Sequence, residues 1–265
     1  MAGGGAGGVA APWLDEWLEG DRQQVGAHSL MVLVARPDVR EEFLARLGCV
    51  VQDHYMDPDH VAQRIEALGA PKTGALIRAR LPRTTTAQSA DLGEILATEI
   101  AEAYLGYRVP VRRLRWKDHP NMALRGTDAI GVRWNGGRVE FLKAEAKSRA
   151  TASATVIAEA ASDLEKDAGR PSRHSLLFVA DRVRDGGDKS LAGLLELAVI
   201  NSCHGNRVEH LLFILSGNNV ADGLKTHLIG YRKRLRRHAV NMHIPDQPNF
   251  VERAFSEASI IHDHT

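Results

Sequence analysis

The chain has 265 residues, enough for one large α/β domain or a core with an N-terminal accessory layer. Its 44% hydrophobic content supports a packed interior, yet no run approaches the roughly 20 apolar residues that span a bilayer. A net charge of +1 excludes global attraction to nucleic acid, so any such binding must come from local basic surfaces.

Residues 1–11 are rich in Gly and Ala but lack the basic and long apolar regions of a secretory signal, so they read as a flexible tail. Cys49 and Cys203 are too few and too far apart for a disulfide framework. A soluble protein of the reducing cytoplasm is expected. Residues 13–18 read as a short helix or as a peptide lying on the body. A buried strand at 29–34 follows, then an amphipathic helix over 37–47 with Phe43, Leu44 and Leu47 inward. Residues 49–51 suggest a further short strand. Asp57-Pro58 starts the next helix, with Asp capping and Pro in the first turn, and Gly69 helps to end it.

Thr84-Thr85-Thr86 suits a cap and loop before a helix over 90–105, whose buried stripe is Leu92, Ile95, Leu96, Ile100 and Ala103. Glu94 lies beside that stripe. Residues 109–116 read as an edge-like strand with Pro110 near its start. Two strands then flank the turn Trp134-Asn135-Gly136-Gly137-Arg138, a strong hairpin signal. A helix over 153–164, a strand over 175–180, a helix over 190–200 and a strand over 210–216 complete the reading. Short apolar strands alternating with helices argue for an α/β fold with a mixed sheet covered on both faces.

The chemistry concentrates in the hairpin. Its first strand opens on Gly126-Thr127-Asp128, and its second carries Glu145-Ala146-Lys147. Glu145 and Lys147 are two apart and share a face, and the hairpin brings Asp128 towards them. Two converging carboxylates make a hard oxygen site suited to Mg²⁺ or Mn²⁺, and the Ala146 carbonyl is a further ligand candidate. An adjacent ammonium can position water or stabilise charge on phosphorus. Together these are equipment for metal-assisted phosphodiester hydrolysis.

Two basic groups are phosphate-binding candidates. Arg112, Arg113 and Arg115 precede the hairpin, and Arg232-Lys233-Arg234-Leu235-Arg236-Arg237 is a denser run. The second run reads either as a solvated helix face or loop, or as a phosphate contact, with Tyr231 available for stacking. Lys143 and Arg149 flank the carboxylates and are candidates for the same role. Structural zinc is not expected. Cys203, His204 and His210 lack a matching ligand pair, and His262, Asp263 and His264 sit at the extreme terminus. Ser216-Gly217-Asn218-Asn219 lacks the spacing and Lys of a phosphate-binding Walker loop.

The Asp128 and Glu145-Ala146-Lys147 pattern resembles the PD-(D/E)xK nuclease superfamily, which implies a restriction-endonuclease-like sheet flanked by helices. In that superfamily a glutamate on the helix before the catalytic sheet often joins the metal site, a role that Gly93-Glu94 matches by order; a solvated helix carboxylate is the alternative. The order of elements from Leu92 to Leu164 is similar to HamA, the nuclease subunit of the Hachiman anti-phage system. That resemblance implies a metal-dependent DNA endonuclease acting with a helicase partner, HamB, that senses phage or damaged DNA. The pattern of elements along the chain divides it into a tail (1–11), an N-terminal accessory or interface region (12–83) and a nuclease domain (84–265). One departure is Thr127, where the superfamily motif has Pro. A stand-alone restriction-type endonuclease and a non-catalytic DNA-binding scaffold on the same fold are the rival readings.

Overall fold

Alternation along the strands decides the architecture. In the computed structural model, which describes residues 12–36, 41–135, 138–203 and 205–260, the inner strands carry apolar residues that alternate between two helical layers. The N-terminal elements are α1 (Pro12–Asp15), β1 (Leu18–Val25), β2 (His28–Ala35), α2 (Glu41–Tyr55), α3 (Pro58–Leu68), α4 (Ala70–Arg80) and α5 (Thr85–Ala103). They are followed by β3 (Ala129–Asn135), β4 (Arg138–Arg149), α6 (Ala154–Glu165), α7 (Arg173–Asp185) and α8 (Lys189–Ile200). The chain closes with β5 (Arg207–Ser216), α9 (Ala221–Gly230), β6 (Arg236–His243) and α10 (Gln247–Ala258).

The six strands form one mixed sheet in the order β1-β2-β6-β5-β4-β3. The four central strands are parallel to one another, and antiparallel β1 and β3 close the two edges. Leu142, Ala144, Leu211, Phe213 and Leu215 face a layer built from α2, α5 and α10. Phe141, Leu212 and Ile214 face the opposite layer, formed by α6 to α9. The expected α/β mixed sheet flanked by helices is therefore what the chain forms. Strands from both sides of position 83 share this sheet, since β2 pairs with β6 from Ser29↔His238 to Val34↔His243.

Helix starts follow the capping residues. Asp57 accepts a bond from the Asp59 amide, Thr84 from that of Ala87, and Ser172 from that of Ser175. Three expected strands differ. Residues 49–51 continue α2, because Leu44, Leu47, Val51 and Tyr55 all bury along one helical face. Residues 175–180 lie in α7, where Leu176, Val179, Ala180 and Val183 form a helical stripe that a short apolar run conceals. Residues 109–116 contribute only the bridge of Arg108 to Val132 and a 3-10 turn, Arg113–Trp116; Pro110 lacks the N–H that a ladder needs. Strand β1 and helices α4, α9 and α10 carry no expectation from sequence; the basic run, read as a solvated helix face or loop, instead enters strand β6 at Arg236, and Arg237 and His238 are buried there. The tail at 1–11, the start of the 37–47 helix, Gly136 and Gly137 of the hairpin turn, His204, and the group His262, Asp263 and His264 lie outside the described residues.

Candidate metal and acid site

Antiparallel pairing sets the geometry of the hairpin. Its register begins at Ala129↔Ala144, and Asp128, just before the first pair, lines the same cleft as Glu145. Gly126 makes the turn into this strand at φ 101°, and a Cβ there would lie 2.7 Å from the Ser175 hydroxyl. Asp128 is fixed by the Ala146 amide, which donates to its Oδ2 at 2.9 Å. The Lys147 ammonium donates to Glu145 at 2.8 Å and to Asp163 of α6 at 2.7 Å. A polar cleft of about 350 Å³ opens here, lined by Asp128, Lys143, Glu145, Asp163, Lys166 and Asp167 among others. Lys147 itself sits behind this lining, connected to it through Glu145 and Asp163.

Glu94 arrives from the other layer. Gly93 permits this, since a Cβ at that position would come within 3.2 Å of Ser148 Cβ on β4, so α5 lies close against the strand. Arg113 stands between the two acids, 3.7 Å from Glu94 and 3.8 Å from Asp128. Its guanidinium also donates to the Thr127 carbonyl and, at 3.0 Å, to that of Arg125. Among the described residues, no three side chains of His, Cys, Asp or Glu are grouped closely enough to hold a metal ion. Asp128 and Glu145 are brought together; Glu94 is joined to Asp128 through Arg113.

Burial dominates the electrostatics of these acids. It pushes Glu145 up to about 8, helped by the charge of Asp128 and opposed by Lys147. Burial likewise raises Glu94 to about 8, against the pull of Arg113. Asp128 is raised by burial, although the Ala146 amide and Arg113 act against the shift. Burial would lower Lys147, but its bonds to Asp163 and Glu145 outweigh that and carry it up to about 12. Asp163 falls to about 2, because the bonds from Lys147 and Lys166 overcome its desolvation. The result is three acids raised by burial beside a Lys147–Asp163 pair whose members keep each other charged.

Most of the basic candidates already have partners. Arg112 pairs with Glu102 at 2.7 Å, and Arg115 with Asp57 at 2.5 Å. Lys143 is buried, its ammonium donating to the Lys166 carbonyl at 2.7 Å, and burial lowers its pKa. Arg237 is fully buried. It bonds Glu165 at 2.5 Å and His227 at 2.7 Å and lies over the Tyr231 ring, so it cannot present its charge to a phosphate. Lys233 remains largely exposed while paired to Glu165, Arg236 is half-buried, and Arg149, Arg232 and Arg234 are exposed. Leu235 of this run lies against Gly169 of the 3-10 turn Lys166–Gly169, whose Lys166 and Asp167 line the cleft, whereas Arg149 lines a separate cavity with Ser148 and Gln247.

Asp163 escaped the reading of the sequence. Its only signal is a carboxylate next to the α6 stripe of Ile157, Ala160, Ala161 and Leu164, and that signal belongs to many solvated helix faces. No helix among the described residues is long and apolar enough to cross a membrane. No curated protein matches the sequence. The HamA family model matches residues 12–258, almost the full length, and the chain belongs to the HamA family of Hachiman anti-phage defence proteins.

Proposed function

We propose that this chain is the metal-dependent DNA endonuclease of its defence system, hydrolysing phosphodiester bonds and acting with a helicase partner. The observation that carries the reading is the convergence of Asp128 and Glu145 on one cleft, with Lys147 bonded to Glu145. Hard carboxylate oxygens suit Mg²⁺ or Mn²⁺, and two acids raised by burial are the groups whose charge a divalent cation would compensate. Asp128 and Glu145 would hold the ion. The Ala146 carbonyl would be a third ligand, because a strand residue's N–H and C=O point to the same side and its N–H meets Asp128. When bound, such an ion supplies Lewis-acid stabilisation of a phosphoryl oxygen and acidifies water.

The remaining work falls to this chain's own residues. Lys147 orients Glu145 and is the ammonium available to place the attacking water. Arg113 holds Asp128 and Glu94 in place, which makes Glu94 an auxiliary acid behind the guanidinium. Arg149, Arg232, Lys233 and Arg234 are the exposed cations suited to hold the DNA backbone. Replacing Lys147 with Ala, or Glu145 with Gln, is expected to abolish Mg²⁺-dependent cleavage while the thermal melt stays cooperative. Wild-type cutting by purified Lys147→Ala protein would overturn the mechanism.

The internal pairing of Lys147 with both Glu145 and Asp163 favours one second reading, a non-catalytic DNA-binding subunit on this fold. Calorimetric titration separates the two. Saturable Mn²⁺ binding that disappears in Asp128→Asn supports the nuclease, and no binding with or without the helicase supports the scaffold.

A further inference from the structure

A second cavity of about 220 Å³ adjoins the acid cleft and shares Leu124 and Thr127 with it. Val111, Ile130, Phe178 and Val179 give it an apolar wall, and Arg113 and Ser175 are polar members of its lining. Its rim carries Arg125 and His174, both exposed and making no side-chain hydrogen bond or ion pair among the described residues. The cavity is smaller than the roughly 300 Å³ at which sites begin to enclose drug-sized ligands, so it suits one flat heterocycle rather than a whole nucleotide. Phe178 is only partly buried, and its ring meets Trp116 edge-on at 6.5 Å. Trp116 is 45% exposed and lies under the guanidinium of Arg182 at 4.2 Å.

Aromatic faces beside guanidinium groups, next to a slot of this size, are the features that receive an unstacked base. We propose that a DNA strand lying on the acid cleft places one unpaired nucleobase in this cavity, against Phe178, with Arg125 and His174 at its polar edge. The substrate is then single-stranded or locally opened DNA. This inference rests on the nuclease reading for the position of the strand, and on the second cavity for the base. Duplex DNA keeps its bases stacked and cannot fill the slot without opening. Opening of duplex by a partner, or a pre-existing gap, is therefore required before this chain engages.

The test uses the full chain in EDTA, where cleavage plays no part. The probes are a short single-stranded oligonucleotide carrying 2-aminopurine and the same sequence as a blunt duplex. The single strand is expected to bind at least tenfold more tightly, with quenching of 2-aminopurine on binding. Phe178→Leu keeps the cavity apolar but removes the ring; it is expected to weaken single-strand binding about 5- to 100-fold, the loss of one base–aromatic stack. Duplex binding should stay within twofold and the melting temperature should be unchanged. Equal affinity for both probes, or equal loss for both in Phe178→Leu, would overturn the base subsite. If the fluorescence results hold but Mg²⁺ never yields cleavage, the subsite stands and the nuclease reading falls. If the protein cuts intact duplex as well as single strands and Phe178→Leu changes neither, the reverse is true.

Discussion

At the scale of single residues, Asp163 decides how Lys147 is presented. The ammonium is shared between Glu145 on its own strand and Asp163 across the cleft, and Lys166 ties Asp163 from the other side at 2.7 Å. Asp163→Asn removes one of the two acids that hold Lys147 high. Partners of this kind typically carry 10–100-fold of activity in metal sites, so cleavage is expected to fall by about that factor, less completely than in Lys147→Ala. The pH dependence has a definite sign. A carboxyl lowered from 3.8 to about 2 contributes stability above its unfolded value, and that contribution is lost as pH falls through about 2. Acid titrations followed by circular dichroism should therefore show Asp163→Asn flattened between about pH 4 and pH 2. A steep limb identical to wild type would mean that Asp163 is not ion-paired in solution. Glu145 and Lys147 were legible because their spacing of two fixes a shared face. Asp163 was not, because its partner lies on a strand 16 residues earlier and nothing local marks the pairing.

At the scale of elements, the site depends on how closely α5 lies against β4. Gly93 is the contact, with Ser148 Cβ 3.2 Å from where its own Cβ would be. Gly93→Val would need α5 to move away from the strand, carrying Glu94 from Arg113 and uncovering Ile95 and Leu96. Overpacking of this kind costs about 1–3 kcal/mol, measurable by urea unfolding, and cleavage should drop with it. Gly93→Ala sets a smaller clash against better helix propensity, and is expected within about 1 kcal/mol of wild type. A stable, fully active Gly93→Val protein would show that the close approach does not matter. The same scale explains which elements were legible. The hairpin, α5, α6 and β5 announce themselves through caps, turn residues and long periodic runs. Residues 175–180 are six apolar-rich positions compatible with either period, and only the Ser172 cap points to a helix. Strand β1 (LEGDRQQV) is an edge with mostly exposed residues, so it lacks the alternation that reveals a buried strand. The basic run conceals β6, because the guanidinium of Arg237 is buried by Glu165, His227 and Tyr231, partners far away or unremarkable in sequence.

At the scale of the whole molecule, the division at 83/84 meets a continuous sheet. Strand β2 hydrogen-bonds to β6 over six residue pairs, and β6 carries the parallel register on to β5 and then to the β3–β4 hairpin. The α2/α5/α10 layer is shared in the same way. Trp17 stacks on Phe43 at 4.3 Å and on Phe250 of α10 at 4.9 Å, so one aromatic stack links the first and last elements. Gln52 of α2 donates to the carbonyl of Ala258 at 3.0 Å. A fragment of residues 84–265 would leave β6 as an unpaired edge and expose the face of α10 that carries Phe250, Val251 and Phe255. It is expected to aggregate, or to melt without a cooperative transition, where the full chain unfolds in a single step. Supplying residues 12–83 as a separate polypeptide should rescue solubility if the two pieces are co-expressed, because the missing strand pairing and apolar cover are both restored. A monodisperse 84–265 fragment that melts cooperatively near the temperature of the full chain would show instead that the N-terminal strands are an appended module. The acid site would then owe its geometry to the hairpin, α5 and α6 alone.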